Sequence, residues 1–261
     1  MEITTILGVL VGIIAVVGAM IFKHISFTVL INPAAFFVII VGTVATILNS
    51  YPGKNLKSLG ALSKILFTKQ KTGTEIEMIT LMMDLASDAR KNGLLSLEDR
   101  VNSIEDGFIK KGIRLVIDGM SEDYIVDVLQ MEIDAMEARH ETNAGIFTSA
   151  GTYAPTLGVL GAVFGLIAAM SHIDDTDAMA EAIAAAFVAT VLGIFTGYVL
   201  WHPFAKKLKV KSQNEILLKE MAIEGLLSIQ KGESPIMIQA KLLSVLPQSQ
   251  QESILAEMNQ G

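Results

Sequence analysis

The sequence predicts an all-α polytopic membrane protein, with four transmembrane helices and a helical cytoplasmic domain. Three observations predict it. Of 261 residues, 51% are apolar and only 18% charged, with mean hydropathy +0.51, whereas soluble domains carry about 25% charged residues. Four stretches hold no Asp, Glu, Lys or Arg: Ile3–Phe22, Ile25–Leu48, Ala144–Met170 and Ala182–Ala205, of 20, 24, 27 and 24 residues. About 20 apolar residues, each rising about 1.5 Å, cross a hydrocarbon core of about 30 Å. Finally, no alternation of period two persists over a useful length, so no sheet is expected. The net charge of −7 offers no general attraction for phosphate backbones, and nucleic acid is not an expected partner. With no Cys, disulfides, thiolate catalysis and Cys-ligated metals are excluded.

The first stretch reads as a span rather than a cleaved signal. It is preceded by Glu2 without Lys or Arg, and its apolar run is too long for a signal core. Only Lys23 and His24 separate it from the second stretch, and Asn32-Pro33 lies near that helix's start, where Pro is tolerated. Residues 1–50 are thus a tight helical hairpin. Tyr51-Pro52-Gly53 stops the second helix. Lys54, Lys57, Lys64, Lys69 and Lys71 follow it, and Lys206, Lys207, Lys209 and Lys211 follow stretch four. The link Ser171–Glu181 instead carries Asp174, Asp175, Asp177 and Glu181. The positive-inside rule places both Lys clusters in the cytoplasm. Both termini are then inside, residues 51–143 form one long inner loop, 144–205 the second pair of spans, and 206–261 an inner tail.

The long loop is acidic, with 16 acidic and 7 basic residues from Glu75 to Glu141. Apolar Ile76, Ile79, Met83, Ala86 and Ala89 predict a helix over Glu75–Asn92, closed by Gly93. Ser96 with Asp99 three residues on is a capping signal, and Ser121 caps a helix over Glu122–Glu141 with Tyr124, Val128, Leu129, Ile133 and Met136 on one stripe. The tail continues stretch four to about Gln230, after which Pro235 and Pro247 divide it into short helices.

The spans contain no carboxylate, Lys or Arg. An ion pathway normally needs such groups, so the chain alone is a poor ion carrier. Hydroxyls do occur at depth: Thr43, Thr46, Thr152, Tyr153, Thr156, Thr190, Thr196 and Tyr198. Each can line a wet path or bond its own helix backbone. Gly8-xxx-Gly12, Gly161-xxx-Gly165 and Gly193-xxx-Gly197 allow close helix approach. Pro155 and Pro203 each remove a helix hydrogen bond and offer a bend or hinge. Enzymatic signatures such as GxSxG, Walker A, HExxH and GxGxxG are missing. His24, His140, His172 and His202 are scattered, and no metal or cofactor is expected.

Several segments together resemble the MotA/PomA family of bacterial flagellar stator subunits over nearly the whole chain. They are Asn32-Pro33-Ala34-Ala35, the loop from Ala89 to Glu98, the run from Ala154 to Leu166, Ala189-Thr190-Val191-Leu192-Gly193, and His202-Pro203-Phe204-Ala205. The resemblance implies a homo-oligomeric ring of five copies in the bacterial inner membrane. The ring would surround the single membrane helices of MotB-type partners, which bring the ion-carrying Asp. It also implies that Arg90 and Glu98 meet the rotor protein FliG, and that Pro155 and Pro203 couple ion flow to movement. Thr190 would be the polar residue nearest the ion path, with Thr156 nearby and Phe187 helping to wall it. The family's sodium-driven branch typically has Thr where this chain has Ala162, so protons are the expected coupling ion over Na⁺. The nearest rival is an ExbB/TolQ-type energy transducer, which has three spans and acts on periplasmic proteins. A passive membrane scaffold is the other alternative. Four uncharged stretches and the Arg90–Glu98 loop disfavour the first; hydroxyls at depth and two span prolines disfavour the second.

Overall fold

The computed structural model describes residues 2–68 and 73–258; Lys69 and Lys71 of the first basic cluster lie outside them. Every regular element among the described residues is helical. They are α1 (Ile3–Phe22), α2 (33–50), α3 (Gly53–Leu56), α4 (Leu59–Phe67), α5 (Glu75–Asn92), α6 (Leu97–Ser103), α7 (Gly107–Ile117), α8 (Glu122–Met170), α9 (Thr176–Gln230), α10 (Pro235–Leu243) and α11 (Gln248–Met258). Helix α1, the segment Phe27–Ser50, α8 and α9 are each long and apolar enough to cross a membrane. The chain forms two compact units, Met1–Gln70 with Arg139–Val210, and Lys71–Ala138 with Lys211–Gly261.

In the first unit, the second apolar stretch is not helical from Ile25. A 3₁₀ turn spans Phe27–Leu30, after His24 at φ 54°, and the α-helix begins at Pro33. Asn32 sets that start. Its backbone is extended, its side-chain oxygen accepts from the Ala35 N–H at 3.1 Å, and Pro33 sits where no donor is needed. The Asn32 amide also donates to the Ala185 carbonyl of α9 at 3.2 Å. Helix α2 widens to a π turn over Phe37–Val41, and the Thr43 hydroxyl donates to the Ile39 carbonyl at 2.6 Å. Leu62, Leu66, Ala144, Phe147, Ala205 and Leu208 form this unit's cluster of buried side chains, edged by Trp201 and Phe204.

Helix α8 corrects one expectation. A helix ending at Glu141 and a separate span from Ala144 are in fact one uninterrupted helix of 49 residues, about 70 Å long. Glu141-Thr142-Asn143 contains neither Gly nor Pro, so nothing there stops it. The extension of span four is as predicted, since α9 runs through to Gln230.

The second unit has a large aliphatic core. Ile79, Met82, Leu85, Ile113, Ile125, Leu129, Ile133, Met221, Ile238 and Leu242 are all buried in it. A reciprocal cap opens α5: Thr74 accepts from the Glu77 N–H at 3.3 Å, and the Glu77 carboxylate accepts from the Thr74 N–H at 2.8 Å. Gly93, at φ 84°, ends α5 in a conformation that other residues rarely adopt. The Ser96 hydroxyl does not cap α6; it donates back to the Gly93 carbonyl at 2.7 Å. Ser121 does cap α8, accepting from the Tyr124 N–H at 3.3 Å. The buried stripe of α8 is Ile125, Leu129, Ile133 and Met136, and Tyr124 is exposed. The predicted stripe was therefore misplaced at its start, where Ile125 takes the position given to Tyr124. Gly232 at φ 72° and Pro235 separate α9 from α10.

Candidate functional site

The membrane-spanning parts of α8 and α9 approach through small residues. A Cβ added at Gly158 would lie 2.8 Å from the Ala189 carbonyl oxygen and 3.0 Å from the Gly193 Cα. One added at Gly193 would lie 2.8 Å from the Ala154 oxygen, and one at Gly165 would lie 2.9 Å from the Ala186 Cα. Backbone therefore meets backbone along this seam, as the two GxxxG pairs of α8 and α9 predict. The Gly8/Gly12 pair behaves differently. Gly12 faces Val199 and Phe195, while Gly8 faces open space.

Pro155 lies inside α8 and has no N–H for the Gly151 carbonyl. Gly197 of α9 covers that carbonyl: its ideal Cβ would sit 2.7 Å from the Gly151 oxygen and 2.7 Å from Pro155 Cγ. Gly197 lies in a π turn of α9, Thr196–Trp201, and His202 and Pro203 follow it. A second proline, a widened turn and a glycine seat thus meet within one helical stretch. Pro203 borders a cavity of about 200 Å³ together with Thr4, Thr5, Gly8, Val199 and Lys207.

A Cβ added at Gly161 of α8 would lie 3.0 Å from the Ala189 Cβ of α9, and Ala162 and Thr190 are the residues that follow these two in sequence. Both are half-buried, whereas Thr156 and Phe187 are exposed. The hydroxyls bond their own helices: Thr156 to the Tyr153 carbonyl at 2.7 Å, Thr152 to Thr148 at 3.0 Å and Thr196 to Leu192 at 2.8 Å. Thr190 is held least, its contact to the Ala186 carbonyl being 3.5 Å, beyond the normal O–H···O range.

Sequence reasoning missed a polar corner at the start of α1. Lys207, read only as part of a basic cluster, donates to Thr5 at 2.6 Å and Thr4 at 2.9 Å and pairs with Glu2 at 3.1 Å. The Thr5 hydroxyl donates to the Leu66 carbonyl at 3.0 Å and is buried. Neither Thr carried a signal, because both sit at the end of an apolar run.

In the second unit, Arg90 and Glu98 are exposed, and neither has an ion-pair partner among the described residues. Buried Ala89 and Leu97 beside them fix where each side chain leaves the surface. Arg90 stands in the last turn of α5 and Glu98 in the first turn of α6, so each also suits its helix dipole. Glu98 borders a cleft of about 400 Å³ with Asp99, Asn102, Arg114 and Asp118.

Two family patterns match the chain. The pattern described as motility protein A N-terminal covers residues 6–93, and that of the MotA/TolQ/ExbB proton channel family covers residues 100–221. Motility protein A of Bacillus subtilis (strain 168) is 49% identical over 247 residues, 95% of this chain and 92% of the relative. The solved flagellar MotAB stator complex from Bacillus subtilis superposes with TM-score 0.90 at 48% identity, covering 95% of this chain and 97% of that one. The solved C. jejuni MotAB superposes with TM-score 0.90 at 30% identity and the same coverage. The chain belongs to the motility protein A family, within the MotA/TolQ/ExbB proton channel family.

Proposed function

We propose that this chain is a stator subunit of the bacterial flagellar motor, forming with a MotB-type partner a proton channel that converts ion flow into torque on the rotor. The observation that carries this reading is the near full-length likeness to a MotA chain of a MotAB stator, in a molecule whose own spans lack a carboxylate. The missing acid is what a partner's Asp would bring. One charge crossing the membrane yields about 2.3 kcal/mol per 100 mV, enough to bias a ring between states differing by a few kcal/mol.

In this reading, copies of the chain ring the partner helices, five by family resemblance, in the inner membrane. The termini are cytoplasmic and the acidic 171–181 link is outside, as the Lys clusters support. The chain carries out transport and no bond-making chemistry. Thr190 and Ala162 lie nearest the ion, Phe187 and Thr156 line its approach, and Pro155 and Pro203 pass its effect along α8 and α9. Protons are the coupling ion: Ala162 provides no oxygen where a Na⁺ shell would need one, and a proton needs only a carboxylate and water. Arg90 and Glu98 contact FliG.

Complementation of a stator-deleted strain tests the rotor contact. Arg90→Glu with Glu98→Lys is expected to abolish swimming at an unchanged membrane level, with partial recovery from opposite charge changes on the rotor. Normal swimming of the double variant would overturn it, since surface charges without a partner cost no more than about 0.5 kcal/mol.

A further inference from the structure

Within the four charge-free stretches, His202 is the one side chain of a type that gains and loses a proton between pH 5 and 8. Its place is specific. Its ring lies over Gly151 of α8, where an added Cβ would be 2.7 Å from His202 Cδ2 and 2.9 Å from Nε2. Gly151 is also the residue whose carbonyl Pro155 deprives of a donor. The Tyr198 ring is one turn earlier on α9, 5.3 Å from the imidazole between centroids. Phe187, Thr190, Ile194 and Tyr198 recur at helical spacing on one face of α9; Phe187, Ile194 and Tyr198 are exposed, and Thr190 is half-buried. The Tyr198–His202 contact continues that row to the end of the span that Lys206 and Lys207 mark as cytoplasmic. From Thr190 to His202 is 12 residues, about 18 Å along the helix.

We propose that His202 is the proton-release group at the cytoplasmic end of the channel. This rests on the proton-channel reading above. The partner's protonated carboxyl loses its O–H bond to a chain of water along this face, and the last water passes a proton to the imidazole, where an N–H bond forms. That N–H bond then breaks as cytoplasmic water or a buffer anion takes the proton. Each cycle leaves His202 neutral again and moves one proton inward, with no oxidant or reductant. Beside His202 on the same helix is the Tyr198 ring, and the Tyr51 hydroxyl bonds Ser149 of α8 at 2.9 Å, two residues before Gly151. Lys206 stands one turn further along α9.

The test is proton flux in inverted membrane vesicles carrying the chain with its MotB-type partner, so that the cytoplasmic face is bathed by the medium. His202→Ala is expected to lower flux about tenfold or more, and imidazole added to the medium is expected to restore it. His202→Gln, which keeps bulk over Gly151, is expected to be as slow as the Ala variant. Across medium pH 6 to 8, wild-type flux is expected to vary and that of both variants to be flat. Wild-type-like flux in the Gln variant, or a loss that imidazole does not relieve at matched membrane levels, would overturn the assignment. If the wild-type complex itself carries no protons, the channel reading fails; if only the variants are unaffected, the fault lies with His202 alone.

Discussion

Helix α8 serves two units with opposite packing chemistry. From Ile125 to Met136 it buries large aliphatic side chains in a core shared with Ile79, Met82, Ile113 and Met221. From Gly151 to Gly165 it presents glycines so close to α9 that an added methyl would strike backbone. The difference follows from solvent. In water, removing apolar area drives packing at about 25 cal/mol per Å². In lipid that drive vanishes, because acyl chains are as apolar as Leu, and close backbone approach through small residues takes over. Large apolar residues such as Ile14, Phe37 and Val159 accordingly stay on the surface of the first unit.

Substitutions can break this contrast. The largest effect is expected for Gly158→Leu, because the obstructing atoms are the Ala189 carbonyl and the Gly193 backbone, which cannot swing away. Four added heavy atoms cannot be accommodated against rigid backbone without parting the helices, so little protein should accumulate in the membrane. Gly8→Ala, in open space, should accumulate normally. Equal levels for Gly158→Leu and wild type would break the seam.

Next comes Leu129→Ala in the second unit, at a fully buried position. It is expected to cost about 2–5 kcal/mol, read as a lowered unfolding midpoint of the purified protein in detergent. Ile14→Ala, on the exposed surface of α1, should fall within about 0.5 kcal/mol. Similar costs for the two would contradict the solvent argument.

The smallest effect concerns charge. Ser228, and after it Lys241, hold the Glu233 carboxyl below its usual value. Glu224, and after it Glu233, raise Lys241. A depressed acid stabilises the fold above its unfolded value of about 4.3 and loses that contribution as pH falls through the lower folded value. Glu233→Gln should therefore destabilise at pH 7 by about 1 kcal/mol or less, and the gap to wild type should close below about pH 4. A gap that persists at low pH would assign the effect to shape rather than charge.

Much of the architecture was legible because period and charge carry it. Four uncharged runs gave the spans, Gly93 and Pro235 gave the breaks, and two GxxxG pairs gave the α8–α9 seam. The join of α8 across Asn143 was not legible, since polarity changes there while helix propensity does not. The start of α2 at Asn32-Pro33 was legible, but the reach of the Asn32 amide to Ala185 across space was not. The site residues came from family resemblance more than from pattern. The structure adds the packing of Pro155, Gly151 and Gly197, and the place of His202, which spacing along the sequence could not pair.

In the proposed channel, spans that lack a charge-bearing acid borrow one from a partner. Proton flux in vesicles, with and without the MotB-type partner and in media of equal pH with or without Na⁺, tests it most directly. Flux is expected only with the partner, unchanged by Na⁺. Equal flux from the chain alone, or flux that requires Na⁺, would contradict it.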